Sequence, residues 1–394
     1  MTWEKEVKDI KKREKLSLNH GGEESVKIHH QKGRKTLRER LSIILDDNSF
    51  QEVGKIAGDS EYDENGNLKD FTPANFLLGF GKINKRSIII GGEDFTMKGG
   101  SPNPSGLRKS VYTEELALKY KIPLVRLHEG GGGSVAGSGG TAKKPTVPSG
   151  DAVFSKNRFQ ALAKCLGTIP VATAALGPVA GLPAARLVAS HFSVMTKNSQ
   201  VLIAGPAVVK RALGIDITKE DLGGPNVHLK SGAVDNLAED EDDALNQIKI
   251  FLSYLPNNYL ELPPKKETKD KRNRIENELL TIIPKERRKT YDVRKLLSLI
   301  LDLNSFFEYG KHYGSSLITG LATLDGQPVA ILANDCRIYA GAMTATASIK
   351  LRRFIDFVNT FNLPVLSFVD EPGFMIGPDS EKAGTIRHGT SAIS

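Results

Sequence analysis

Two cysteines are all that 394 residues contain, and Cys165 and Cys336 stand far apart. A disulfide framework and a zinc ribbon both need cysteines in pairs, so neither is open to this chain; Cys165 reads as a small buried hydrophobe in a helical stretch. Long apolar runs are missing as well. Gly and Pro break every one before the roughly eighteen residues of a membrane-spanning helix are reached. Met1 to Lys15 alternates lysine with glutamate, so it has neither the apolar centre of a secretion signal nor the acid-poor composition of a transit peptide. A cytoplasmic location is expected, or the mitochondrial matrix if the source is eukaryotic. No His-Glu-x-x-His helix occurs, nor a Gly-x-Ser-x-Gly elbow set between strand and helix.

The net charge is +8. The excess gathers at residues 27–40 and 265–289 without interleaved aromatics, which argues against a nucleic-acid partner and for solvated surface. A composition of 39% hydrophobic and 25% charged residues is that of a globular protein, and the length predicts two domains.

The chain repeats itself. RERLSIILDDNSFQEVGK, from Arg38 to Lys55, returns as RKLLSLILDLNSFFEYGK from Arg294 to Lys311, with twelve of eighteen positions identical at an offset of 256. Further on the offset becomes 241, pairing Gly79 with Gly320, Pro123 with Pro364 and Glu129 with Asp370. Two copies of over a hundred residues imply two domains of one fold rather than a short-repeat solenoid. Each copy reads as a helix, then two strands joined at Asn84-Lys85 or Asp325-Gly326, then a helix (residues 107–121 in the first copy) and a wholly apolar strand (123–127, 364–369). Continuous apolar strands suit a sheet buried on both faces, so the class is α/β. The first copy goes on with a helix at 158–166, a strand at 170–176, a helix at 184–190 and a strand at 201–204.

Ligands of α/β folds bind at loops after the carboxyl ends of strands. Three such loops are rich in glycine: DFTMKGGSPNPSG from Asp94, EGGGGSVAGSGG from Glu129, and GPVAGLP from Gly177. No lysine directly follows a glycine in the second, so it is not a phosphate-cradling Walker loop. It runs on into two prolines rather than a helix, which weakens a dinucleotide reading. A flexible structural segment at 133–150 stays open beside a binding role. His20, His29 and His30 read as solvated surface; His128, at a strand end, suits a site or simple packing equally; His228 and His388 lie in loops without evident partners. With so few side-chain catalysts, the loops point to backbone amides stabilising an oxyanion.

GRKTLRERLSIILDDNSFQEVG, DFTMKGG, the glycine loop after VRLHE, ALGPVAGLPAA, LIAGPAVVKRALGIDITKEDLGG and VDEPGFMIGPDSEKAGTIRHG resemble, in order, the carboxyltransferase (beta) subunits of propionyl-CoA, acetyl-CoA and methylcrotonyl-CoA carboxylases. The resemblance runs from about Gly33 to the last residue. It implies two crotonase-like domains of the ClpP/crotonase superfamily, an acyl-CoA-binding domain at 1–258 and a partial biotin-side domain at 291–394, joined by a linker at 259–290. The family's biotin-side oxyanion pocket follows the segment matching TIRHGTSAIS, so the chain is expected to be a fragment with an incomplete second domain. The implied reaction moves a carboxyl group from carboxybiotin to the α-carbon (or vinylogous γ-carbon) of an acyl-CoA, with no metal in this chain. The implied partners are a biotin carboxylase and biotin carrier subunit and further copies of the chain in a hexamer. Carried over residue by residue, the thioester oxyanion pocket falls on Gly181 and Leu182, and acyl-CoA binding on Gly99, Gly100, Gly130, Gly131, Gly132 and Gly133. Two departures stand out: Leu182 replaces the second glycine of Ala-Gly-Gly, and Glu129 to Gly133 replaces Asp-Ser-Gly-Gly-Ala. A biotin-dependent acyl-CoA decarboxylase subunit and a non-catalytic acyl-CoA-binding homologue are the alternatives.

Overall fold

Turn chemistry and apolar strands become sheets in a computed structural model that describes residues 2–132, 158–268, 270–286 and 288–393. The chain divides into one unit of Met1–Pro225 with Leu237–Lys249 and another of Asn226–Asn236 with Ile250–Ser394.

The strands of the first unit are β1 (Gln51–Glu52), β2 (Gly58–Tyr62), β3 (Leu68–Pro73), β4 (Phe76–Ile83), β5 (Arg86–Glu93), β6 (Leu124–Gly130), β7 (Val171–Ala180), β8 (Phe192–Thr196), β9 (Gln200–Leu202) and β10 (Asn236–Ala238). β2 and β3 form a separate ribbon; the others make one sheet in the order β1-β4-β5-β6-β7-β8-β10, with β9 paired to β7. β4 and β5 are antiparallel because Asn84 and Lys85 both adopt left-handed φ, 50° and 66°, and close a two-residue hairpin. From β5 to β8 the pairing is parallel, so helices must carry the chain back. Pro104–Tyr120, Arg158–Leu166 and Leu182–Val188 do so. Every residue of β6 is buried, as a sheet covered on both faces requires. The core beside it includes Leu78, Ile89, Ala117, Leu124, Val171 and Cys165. Burial pushes the Cys165 thiol up to about 12.

The second unit repeats this order. Its strands are β11 (Phe307–Tyr309), β12 (Leu317–Leu324), β13 (Gln327–Asn334) and β14 (Val365–Phe368), in the sheet order β11-β12-β13-β14. The helix Ala345–Thr360 returns the chain so that β14 lies parallel to β13. Val293, Leu297, Ile318 and Ile331 belong to its core.

The copies agree in side-chain detail. Asp46 accepts hydrogen bonds from the amides of Asn84 and Lys85 at 2.9 and 2.6 Å; Asp302 accepts from those of Asp325 and Gly326 at 2.9 and 2.8 Å. Arg38 pairs with Glu52, and Arg294 with Glu308. Asn103 and Thr344 cap the matching helices. The turn after β5 holds Lys98, Gly99 and Gly100 at φ 53°, 61° and 68°. Its counterpart holds Tyr339, Ala340 and Gly341 at 50°, 52° and 80°.

Candidate functional site

Because β5, β6 and β7 run parallel, their carboxyl ends come out on one edge of the first unit, and each is followed by glycine. The carbonyl of Gly99 accepts a hydrogen bond from the Gly131 amide at 3.3 Å. A Cβ on Gly100 would stand 2.5 Å from the Glu129 carbonyl oxygen, and one on Gly132 would stand 2.7 Å from the Leu182 nitrogen. Glycine is needed here for close backbone approach, and at Gly99, Gly100 and Gly181 also for positive φ. The structure therefore brings together Gly99, Gly100, Gly130, Gly131, Gly132, Gly181 and Leu182. Gly133 lies outside the described residues, as does most of the loop after it.

One expectation is corrected. The Gly181 amide does not serve the cleft: it donates to the Leu202 carbonyl at 3.0 Å. The cause is β9, which pairs in parallel with the end of β7 up to Ala180–Leu202, so the next N–H along is taken by the ladder. Gly181 contributes its conformation, φ 66° and ψ −126°, which starts the helix Leu182–Val188. The N–H groups of Leu182 and Gly132 have no acceptor among the described residues. Pro183, next to Leu182, has no N–H to offer.

Beneath the loops lies a buried ionic layer that sequence reasoning missed. Glu129 is fully buried and meets Arg40 at 2.7 Å, Arg34 at 3.0 Å and His29 at 3.5 Å. Arg40 also holds both oxygens of Glu241, at 2.9 and 2.7 Å. Burial works against the Arg40 charge, but the Glu241 hydrogen bonds and the two carboxylates outweigh it and hold its pKa above the ordinary value. Oε1 of Glu129 fills the space that a side chain on Gly177 would need. Thus His29 is buried rather than solvated, and His20 pairs with Asp94 at 2.8 Å. A signal was available, since Arg40 is aligned with Leu296 in an otherwise well-matched repeat. His128 is also fully buried. Its Nδ1 lies 3.1 Å from Glu93, whose carboxyl is held below the usual range because His128 and Arg126 outweigh its burial. The Nε2 of His128 has no hydrogen-bond partner among the described residues. Among the described residues, no group of three or more His, Cys, Asp or Glu could hold a metal ion, and no helix is long and apolar enough to cross a membrane.

In the first unit, parallel strand ends converge on glycine amides, with Glu129, Arg40 and Glu241 buried and paired beneath them, an arrangement suited to holding an oxyanion. The chain belongs to the carboxyl transferase domain family, which it matches over residues 28–394. It is 32% identical over 399 residues to the propionyl-CoA carboxylase carboxyltransferase subunit of Haloferax mediterranei, covering 100% of this chain and 75% of that protein. To the methylmalonyl-CoA decarboxylase subunit alpha of Veillonella parvula it is 34% identical over 391 residues, covering 96% and 75%. Among solved structures it resembles transcarboxylase 12S, a hexamer crystallised with methylmalonyl-coenzyme A and methylmalonic acid, at a TM-score of 0.87 and 31% identity, covering 99% of this chain and 75% of that one. The protein is an enzyme, a carboxyltransferase.

Proposed function

We propose that the chain exchanges a carboxyl group between carboxybiotin, presented on a carrier protein that partners a biotin carboxylase, and the α-carbon (or vinylogous γ-carbon) of a small acyl-CoA. In this reading residues 1–258 bind the acyl-CoA through Gly99, Gly100 and Gly130 to Gly133, residues 259–290 link, and residues 291–394 belong to the biotin side. The working form is a cytoplasmic homo-oligomer, by analogy with the hexamer of transcarboxylase 12S.

One observation carries the reading: two N–H groups without protein acceptors, on Leu182 and Gly132, stand beside each other where three strand ends meet. Carboxylation needs the α-proton to leave, which builds negative charge on the thioester oxygen. An amide already fixed in position stabilises that oxygen without reorganising, and each such donor is worth about 3–4 kcal/mol in the transition state. Gly181 sets the conformation that starts the helix at Leu182, and Gly132 lets the loop approach the Leu182 nitrogen closely. Carboxybiotin, when bound, supplies the carboxyl carbon. The side chain of Leu182, where the family has glycine, narrows the space beside the thioester and favours short acyl groups.

The likeness to a methylmalonyl-CoA decarboxylase subunit supports a second direction, from acyl-CoA to biotin; the same amides serve the same enolate in either sense. The test is to incubate the full chain with free biotin and a panel of malonyl-, methylmalonyl- and glutaconyl-type CoA esters. Biotin-dependent loss of CO2 from at least one ester is expected. Tight binding of the esters without any turnover would make the chain a non-catalytic acyl-CoA-binding homologue.

A further inference from the structure

A cavity of about 160 Å3 opens in the second unit between residues 231–235, the end of β11 and the helix Ala345–Thr360. Its wall is largely apolar, with Val234, Ile349 and the rings of Tyr309 and Tyr313. Into it comes Lys350, only 5% exposed. A lysine ammonium carries three N–H donors, yet among the described residues Lys350 has one acceptor, the Leu317 carbonyl at 2.6 Å. Arg353, on the same wall, is occupied by both oxygens of Asp235 at 2.5 and 3.2 Å.

The duplication supplies a comparison. Lys109 holds the matching place in the first unit, and its ammonium lies 3.6 Å from the Glu52 carboxylate and 3.3 Å from the Gly54 carbonyl. The counterpart of Glu52 is Glu308, and both its oxygens are taken by Arg294, at 2.6 to 3.1 Å. Lys350 thus keeps the position of Lys109 without its carboxylate, and it faces a cavity. An apolar cavity with one convergent, under-used cation is complementary to a small organic acid.

We propose that this cavity binds a small monocarboxylate, whose carboxylate accepts the two remaining Lys350 N–H groups and whose short apolar body lies against Val234 and Ile349. The volume admits only a few heavy atoms, on the scale of several waters. Binding is linked to protons. Burial draws the Lys350 pKa down to about 7, with Glu308 and Asp235 opposing and Arg294 assisting. Asp235 is already paired with Arg353, and His312 stands near enough to sense the Lys350 charge. The acid needs the ammonium, so it takes up close to one proton per molecule at pH 8, and affinity at pH 9 is roughly fifty-fold below that at pH 7.

The experiment is calorimetric titration of the full chain with sodium propionate at pH 6, 7, 8 and 9, in two buffers of different ionisation enthalpy. Saturable binding with that pH profile is expected, lost in Lys350→Met and in the cavity-filling Ile349→Phe but kept in Lys109→Met. Ile349 is partly exposed, so its variant separates occlusion from misfolding. Equal heats with propionamide or sodium chloride, no binding at pH 6, or binding unchanged in Ile349→Phe would overturn the proposal.

Discussion

Replacing Leu182 by proline exchanges one backbone N–H for the Cδ of the ring and trims the side chain. Gly181 at φ 66°, ψ −126° is the mirror image of the extended conformation that residues before proline adopt, which glycine takes freely. Leu182 is the first residue of its helix, the position that accepts proline best. The N–H removed has no acceptor among the described residues, so no protein hydrogen bond is broken, and stability should change by less than about 0.5 kcal/mol beyond what Leu182→Ala costs. If that N–H holds the thioester oxygen, its loss raises the barrier by about 3–4 kcal/mol, a fall of about 10²- to 10³-fold in kcat. The assay is biotin-dependent decarboxylation of whichever CoA ester the wild-type chain accepts, with CoA-ester binding measured separately. Leu182→Ala controls for the lost side chain. A proline variant that folds, binds the ester and turns over within about three-fold of Leu182→Ala would refute the role of this amide.

Gly100→Ala should cost about 2–4 kcal/mol in urea denaturation, because its φ of 68° is unfavourable for a side chain and its Cβ would press on the Glu129 carbonyl. Unchanged stability would mean the turn relaxes freely. Lys350 makes stability depend on pH. Its folded pKa of about 7 lies below the unfolded value near 10.4, so between these the unfolded chain binds the extra proton and stability rises with pH. Wild type should gain up to about 1.4 kcal/mol per pH unit over Lys350→Met between pH 7.5 and 9.5, and parallel pH profiles would contradict this. Asp302→Ala, at a carboxylate only 7% exposed, should cost about 2–3 kcal/mol, and Asp46→Ala about 1–2, since each frees two turn amides. The reverse order would show that burial is not what separates them.

The repeat made much of the fold legible. Asn84-Lys85 and Asp325-Gly326 close the hairpins expected of them, because two-residue turns are decided by local φ preferences. Boundaries drifted where side chains have distant partners. The strand expected to stop at Leu127 runs to Gly130, since His128 and Glu129 find Glu93, Arg34 and Arg40 inside the fold. The helix expected from Leu107 begins at Pro104, capped by Asn103. At the site, the clustering of glycines was readable because close approach leaves few alternatives to glycine. The fate of each amide was not. Whether Gly181 N–H faces a ligand or a strand depends on β9, twenty residues downstream, and no local pattern announces that pairing. The burial of His29 was hidden for the same reason, its partner lying a hundred residues away.

The turn at Tyr339 and Ala340 carries a record of descent. Its counterpart in the first unit reaches the left-handed region partly through Gly99, where the conformation is free; here two residues with side chains hold it, at roughly 1–2 kcal/mol each. Around it the Gly341 amide donates to Ile338, and the Asn334 side chain donates to the Gly341 carbonyl. What passed down both halves is therefore the path of the main chain. The residues along that path differ between the halves, and what a sequence comparison at this turn would score as divergence is, in three dimensions, one shared course of backbone.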